Sequence, residues 1–241
     1  MKRFWDKATA EPRGEGWVIL LDGKPLQMPG QPVRGGAELR VPRAGLAYAI
    51  AAEWQAAGGG RDGELTFDHV PLTRLAGTAQ DRIEPDPAPV ATALAQYAET
   101  DVLCYRAEHP VPLVVRQARE WQPWLDWLWS THGARLRSTA GVAHLAQDEA
   151  ALQRMRTVLA GQSAAVLAGL GIAVPALGSV VLGLALAHGA LDASQAYALA
   201  HLDELYQVEQ WGEDSWAARR RADVLADIAL AARFIALARQ A

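Results

Sequence analysis

The sequence predicts an α+β chain, with a small N-terminal β-rich part followed by a larger, all-helical part. Three observations carry this. Up to about residue 70, short apolar runs are punctuated by Gly, Pro and Asp-Gly. From Pro71 almost to the end, apolar residues recur at helical spacing. The 241 residues, 51% hydrophobic and 21% charged, have the balance of a folded protein with a sizeable core. The division is set at residues 1–70, holding one helix, and 71–241.

Trp17 to Leu21 is a short apolar run. The turn signal Asp22-Gly23 and then Lys24 to Met28 follow it, which is a hairpin pattern. Pro29 to Gly36 reads as a Pro/Gly-rich loop and Glu38 to Val41 as a further strand. Pro42 opens a helix in which Leu46, Ala49, Ile50 and Trp54 recur on one side. Gly58 to Gly60 end it. Leu65 to Val70 reads as one more extended segment.

Pro71 to Ile83 is the next helix, and the prolines at 85, 87 and 89 mark a break before Val90 to Glu99. Pro112 to Thr131 places Val114, Gln117, Trp121, Trp124, Leu125 and Leu128 on one stripe, with Pro123 predicted to kink or restart the helix. Asp148 caps a helix to about Ala160 and Asp192 another to about Trp211. The last runs from about Asp214 to Arg239, with Leu225, Ile228, Ala232 and Ile235 on one face.

Thr157 to Leu191 contains no Asp, Glu, Lys or Arg. Its segment AAVLAGLGIAVPALGSVVLGLALA is apolar for longer than the roughly 20 residues a bilayer span needs. Gly169, Gly171, Pro175 and Gly178 interrupt it, and no Lys/Arg cluster or aromatic belt flanks it. Buried core of a helical domain, without stable membrane insertion, is the expectation. Gly183 and Ala185 would let neighbouring helices approach closely.

The net charge of −4 argues against a basic nucleic-acid surface. Cys104 is the only cysteine, so it forms no internal disulfide and no thiolate zinc site. A buried small hydrophobe is its expected use. The six histidines contain no pair at helical metal-ligand spacing. Gly58, Gly60 and Gly63 match G-x-G-x-x-G formally, but follow a helix and read as a turn. No phosphate loop or nucleophile elbow is present. None of these motifs marks a cofactor site, a metal site or a catalytic residue.

The carboxylates say more. Asp192, Asp203, Glu204, Glu209, Glu213 and Asp214 form a run with no Lys or Arg between them. On a helix, Asp203, Gln207 and Gln210 share a polar face, with Glu204 beyond them, while Glu209 falls among Leu202, Leu205 and Tyr206. Three readings stay open: a solvated face, a partner surface, and a metal or acid/base pair around Asp203 and Glu204. Of the nine tryptophans, Trp121, Trp124, Trp127 and Trp129 crowd one helix. Trp127 and Trp129 lie about 160° apart around its axis, so at least one ring should leave the buried stripe.

Seven segments in register carry a resemblance: KRFWDKA, VILLDGKPLQMP, LAYAIAAEW, PLTRLAGTAQDR, YAETDVLCYRAE, RQAREWQPWLDW and SVVLGLALAHGALDASQAYALAHLDELYQVEQWGED. Together they resemble the alpha-subunit assembly chaperones of F-type ATP synthase, found in mitochondria and related bacteria. The resemblance implies a β-rich N-terminal domain and a helical C-terminal one. It also implies no enzymatic activity and a specific partner: the unassembled alpha subunit, shielded until the beta subunit replaces it. Gly77 departs from an expected asparagine, and Gln80 from an apolar residue. Met1 stands directly before the first matched segment, without a targeting extension, so a bacterial cytoplasm is the expected location. Asp203, Glu204, Gln207, Glu209, Trp211 and Glu213 are the expected partner-binding residues, with Gly212 ending the helix at a corner. The alternative is a metal-dependent hydrolase using the acids around Asp203 and Glu204.

Overall fold

The Asp22-Gly23 turn works as its sequence dictates. In the computed structural model, which describes residues 2–28 and 37–239, both turn residues have positive φ, 47° and 77°. This is the backbone a tight hairpin needs, and Asp and Gly tolerate it. Strand β2 (Gly16–Leu21) thereby pairs antiparallel with β3 (Lys24–Pro25), Leu21 opposite Lys24. Strand β1 (Ala8–Arg13) pairs along all of β2. Strand β4 (Arg40–Val41) pairs with its start, Trp17 opposite Val41. The Pro29–Gly36 loop expectation lies outside the described residues.

Two compact units make up the chain: Met1–Asp86 with Ala164–Ala168 and Arg233–Ala241, and Pro87–Ser163 with Gly169–Ala232. In the first, helix α1 (Ala44–Ala56) lies on the sheet and buries Leu46, Ile50 and Trp54 with Val18 and Ile19. Trp5 is fully buried and donates its indole N–H to the Trp54 carbonyl at 3.1 Å. Arg3 is buried too. Its guanidinium donates to the carbonyls of Trp5, Asp6, Gln55 and Ala57, the last two at the end of α1, where the helix dipole favours a cation.

Residue 70 lies inside this unit. Helix α2 (Pro71–Thr78) is tied to α1: the Glu53 carboxylate accepts from the Leu72 and Thr73 amides, and the Trp54 indole donates to the Thr73 hydroxyl at 2.8 Å. A π-helical turn, Ala79–Ile83, extends it. Leu65–Val70 is not extended throughout. Phe67–His69 form a 3-10 turn, because the Thr66 and His69 side chains cap each other's backbone.

The departures from the resembled pattern have local reasons. A Cβ on Gly77 would press into the Met28 side chain. Gln80 acts as a strand neighbour: its side-chain carbonyl accepts from Arg40 N and its amide donates to Glu38 O.

In the second unit, α3 (Ala88–Gln96), α4 (Val111–His132) and α5 (Glu149–Ala160) match the expected helices within a few residues. Helix α4 passes through Pro123 without ending, and buries Leu113, Gln117, Trp121, Leu125 and Leu128. Trp129 is the ring that leaves the stripe, 52% exposed and stacked under Arg135. Asp148 stands at the N-cap of α5 without a side-chain capping bond. Strands β5 (Tyr105–Arg106) and β6 (Thr139–Ala140) form a short parallel pair.

The charge-free stretch becomes α6 (Ala164–Leu177) and α7 (Val180–Ala187), divided at Gly178, φ 59°. Every residue of α7 is buried. Among the described residues no helix is long and apolar enough to cross a membrane. A Cβ on Gly183 would meet Val174 Cγ2 at 2.6 Å, which is the close approach expected of that glycine. Cys104 is fully buried, and burial raises its thiol pKa far above the usual value.

Candidate partner-binding site

One helix was expected from Asp192 to Trp211, but two form. Asp192 and Gln195 make a capping box at the start of α8 (Ala193–Ala200). The chain then turns at His201, φ −103° and ψ 23°, before α9 (Leu202–Trp211). Leu199 and Leu202 are buried on either side of this turn. Trp121 anchors it by donating its indole N–H to the Leu199 carbonyl at 2.8 Å.

Helix α9 carries most of the expected site. Asp203 faces α4, where the fully buried Gln117 donates to it at 2.5 Å. Gln117 is held in turn by accepting from Ala107 N at 2.7 Å. Glu209 also turns to α4, where one Arg116 nitrogen donates to both its oxygens at 2.7 and 2.8 Å. That explains a charge among the apolar positions of α9. Glu204 points the other way, to Arg221, which donates at 2.9 Å.

Arg221 belongs to α10 (Ser215–Arg239) and also donates to Glu213 at 2.5 Å. Its side chain is 10% exposed, and both carboxylates raise the pKa of its guanidinium. The bridge closes a corner. Gly212, φ 89°, ends α9, and Asp214 caps α10 by accepting from the Trp216 and Ala217 amides. Beneath it, Tyr197 stacks on His201 with ring centroids 4.5 Å apart. Burial lowers the His201 pKa, and Glu204 opposes this.

The run of acids predicted bare charge, and the structure differs. Every carboxylate from Asp192 to Asp214 accepts a hydrogen bond or an ion pair from within the chain. The cations come from outside the run: Arg116, 93 positions from Glu209, and Arg221. Nothing local in the sequence signals the first. The second stands in the triple arginine after the acids and was open to notice. Asp203 and Glu204, neighbours in sequence, engage opposite partners. Among the described residues no group of three or more His, Cys, Asp or Glu is placed to hold a metal.

The indoles are the bare groups. Trp211 is 79% exposed, so it does not seal the packing of two helices. Trp216, missed in the sequence, is 69% exposed on the other side of the corner. Its signal was the near-symmetry of WGEDSW. Gln207 is exposed on α9 between Asp203 and Trp211. The arrangement offers aromatic surface on a fixed frame, with its carboxylates engaged at the frame's edges.

The family model described as ATP12 chaperone protein matches residues 2–129. The crystal structure of Atp12 from Paracoccus denitrificans superimposes with a TM-score of 0.90 at 38% identity, covering 99% of this chain and 98% of that one. An Asp-to-Lys mutant of the same protein gives the same values. The Atu1473 protein from Agrobacterium tumefaciens follows with a TM-score of 0.88 at 37% identity, covering 98% of this chain and 85% of that one.

Proposed function

The chain belongs to the ATP12 chaperone family, and on that premise we propose that it is an assembly chaperone of F-type ATP synthase. It holds the unassembled alpha subunit and keeps it from aggregating until the catalytic head forms. The observation that carries this reading is the likeness to Atp12 over 99% of the chain, both units included. The work is done by binding, without catalysis or cofactor. Its setting is the bacterial cytoplasm, in line with the bacterial sources of the relatives.

The proposed contact surface is α9 and its corner: Asp203, Glu204, Gln207, Glu209, Trp211 and Glu213. Exposed aromatic rings on an ordered frame are what a protein interface uses as anchors. The metal-hydrolase alternative draws no support from Asp203 and Glu204, whose carboxylates serve Gln117 and Arg221.

Size-exclusion chromatography with light scattering tests the function. The protein is mixed with purified alpha subunit from its own organism, and with beta subunit in a parallel run. A stoichiometric complex with alpha alone, and less alpha aggregation, is the expected result. Absence of a complex with soluble, unassembled alpha would overturn the reading.

A further inference from the structure

Within the second unit, the end of α4 meets the end of α7 through three rings. His132 is the last residue of α4 and His188 caps α7, and their ring centroids stand 4.9 Å apart at 73°. Trp127, five positions back on α4, meets both at steep angles, with centroids 5.3 and 5.6 Å away. His132 is only 8% exposed, and its buried Nε2 has no hydrogen-bond partner. His188 is exposed. Its Nδ1 lies 3.0 Å from the Leu184 carbonyl, which only accepts, so this nitrogen donates.

The surroundings decide what a proton does there. Arg154 of α5 faces His132 and donates to its carbonyl, His188 faces it from α7, and Trp127 on its own helix is uncharged. Among the described residues no carboxylate bonds to either imidazole. A proton on His132 would therefore be buried beside a guanidinium, with no acceptor for Nε2–H and no anion to offset it. Burial first, then His188 and Arg154, lower the His132 pKa accordingly.

From this arrangement we infer that Trp127, His132 and His188 form an acid-sensitive latch. It is closed while both imidazoles are neutral, holding the end of α4 to the end of α7, and it opens on protonation. The latch does not depend on the partner reading. It bears on it all the same, because α4 also carries Arg116, Gln117 and Trp121, which hold α9 and the break before it. The sign follows from linkage. The unfolded chain takes up this proton more readily than the folded one. The latch therefore contributes in full above the ordinary histidine value of 6.5, and the contribution is lost as pH falls below it.

The full chain serves for the test. Imidazole Cε1 protons are titrated by NMR between about pH 8 and about pH 4.5, with His132→Gln and His188→Gln assigning the two resonances. His132 should titrate below 6.5, and His188→Gln should shift it back upward by removing a like charge. Urea unfolding over the same range should show the wild type losing stability with acid relative to His132→Gln. Asp101 and His201 titrate in both proteins and cancel in that difference. Trp127 emission, read as the difference from Trp127→Phe, should change over this range in the wild type and stay level in His132→Gln. A His132 that titrates at or above 6.5 overturns the latch, because the cation is then welcome beside Trp127. So does a difference in stability between wild type and His132→Gln that stays constant with pH. Where His132→Gln fails to fold, the His188→Gln variant still decides: an unshifted His132 overturns the latch.

Discussion

The Ser179 hydroxyl lies 2.8 and 2.9 Å from the two oxygens of Asp101, and neither residue is exposed. The Leu103 and Val181 amides also donate to this carboxylate, so it joins the start of α7 to the turn after α3. Burial nevertheless pushes its pKa from 3.8 to about 6, against those hydrogen bonds. The folded protein thus holds the Asp101 proton more tightly than the unfolded chain. Its contribution is full below the unfolded value and is lost as pH rises through about 6. The size is about 3 kcal/mol. Urea unfolding at a series of pH values should show Asp101→Asn lacking this fall, visible in the difference between variant and wild type. Equal slopes in the two proteins would count against it.

Gly77 and Met28 make a second prediction. A Cβ at position 77 meets first the terminal methyl of the flexible, half-buried Met28 side chain, which can give way, so Gly77→Ala should lower stability by under about 1 kcal/mol, less than the usual cost of overpacking. Asparagine, which the resemblance led one to expect there, should cost more. Met28→Ala on the Gly77→Ala background should return part of the loss. A double-mutant cycle with no coupling energy would show that the two side chains do not compete for space.

These pairs mark where sequence reading reaches its limit. The hairpin at Asp22-Gly23 was legible because φ and turn type are local. The helices were legible because their period is local, and α4 was found in spite of Pro123. Strand β1 was missed. Ala8–Arg13 lacks alternating apolar residues, and its place comes from pairing with Val18 and Ile19 across a turn at Gly14. The break at His201 was missed because neither Gly nor Pro marks it. At the break the Leu199 carbonyl accepts from the Trp121 indole of α4, a long-range contact with no local signal. In the candidate site the side chains were legible as types and their pairing was not. Whether Glu209 is bare depends on Arg116 of another helix, and only the packing of α4 beside α9 reveals it.

The charge-free stretch gives a third prediction. Helices α6 and α7 approach at Gly183, where added volume meets the Val174 side chain and backbone within the second unit. Gly183→Ala should therefore destabilise by about 1–3 kcal/mol, although alanine favours helix by itself. Gly171, on the same α6, has open space where its Cβ would stand. Gly171→Ala should be neutral or stabilising, since there only propensity changes. Thermal unfolding of the two variants side by side tests this. Equal midpoints would mean that helix propensity, not contact, decides at both positions.

The two arginines of the candidate site should behave differently from each other. Arg116 and Glu209 have side chains 33% and 51% exposed. Such a pair gains little over its hydrated parts, so Arg116→Ala should cost under about 1 kcal/mol. Arg221 is 10% exposed and serves two carboxylates at once. Removing it leaves Glu204 and Glu213 facing each other across the corner without a cation, and like charges in that position repel. Arg221→Ala should lower the unfolding midpoint more than Arg116→Ala. Adding Glu213→Gln should recover part of the loss, because it removes one of the two charges left facing. Differential scanning calorimetry of the three proteins, at low and high salt, is the check. If Arg116→Ala proves the more damaging, the corner is not held by its bridge, and the order of Trp211 and Trp216 must come from the helix ends alone.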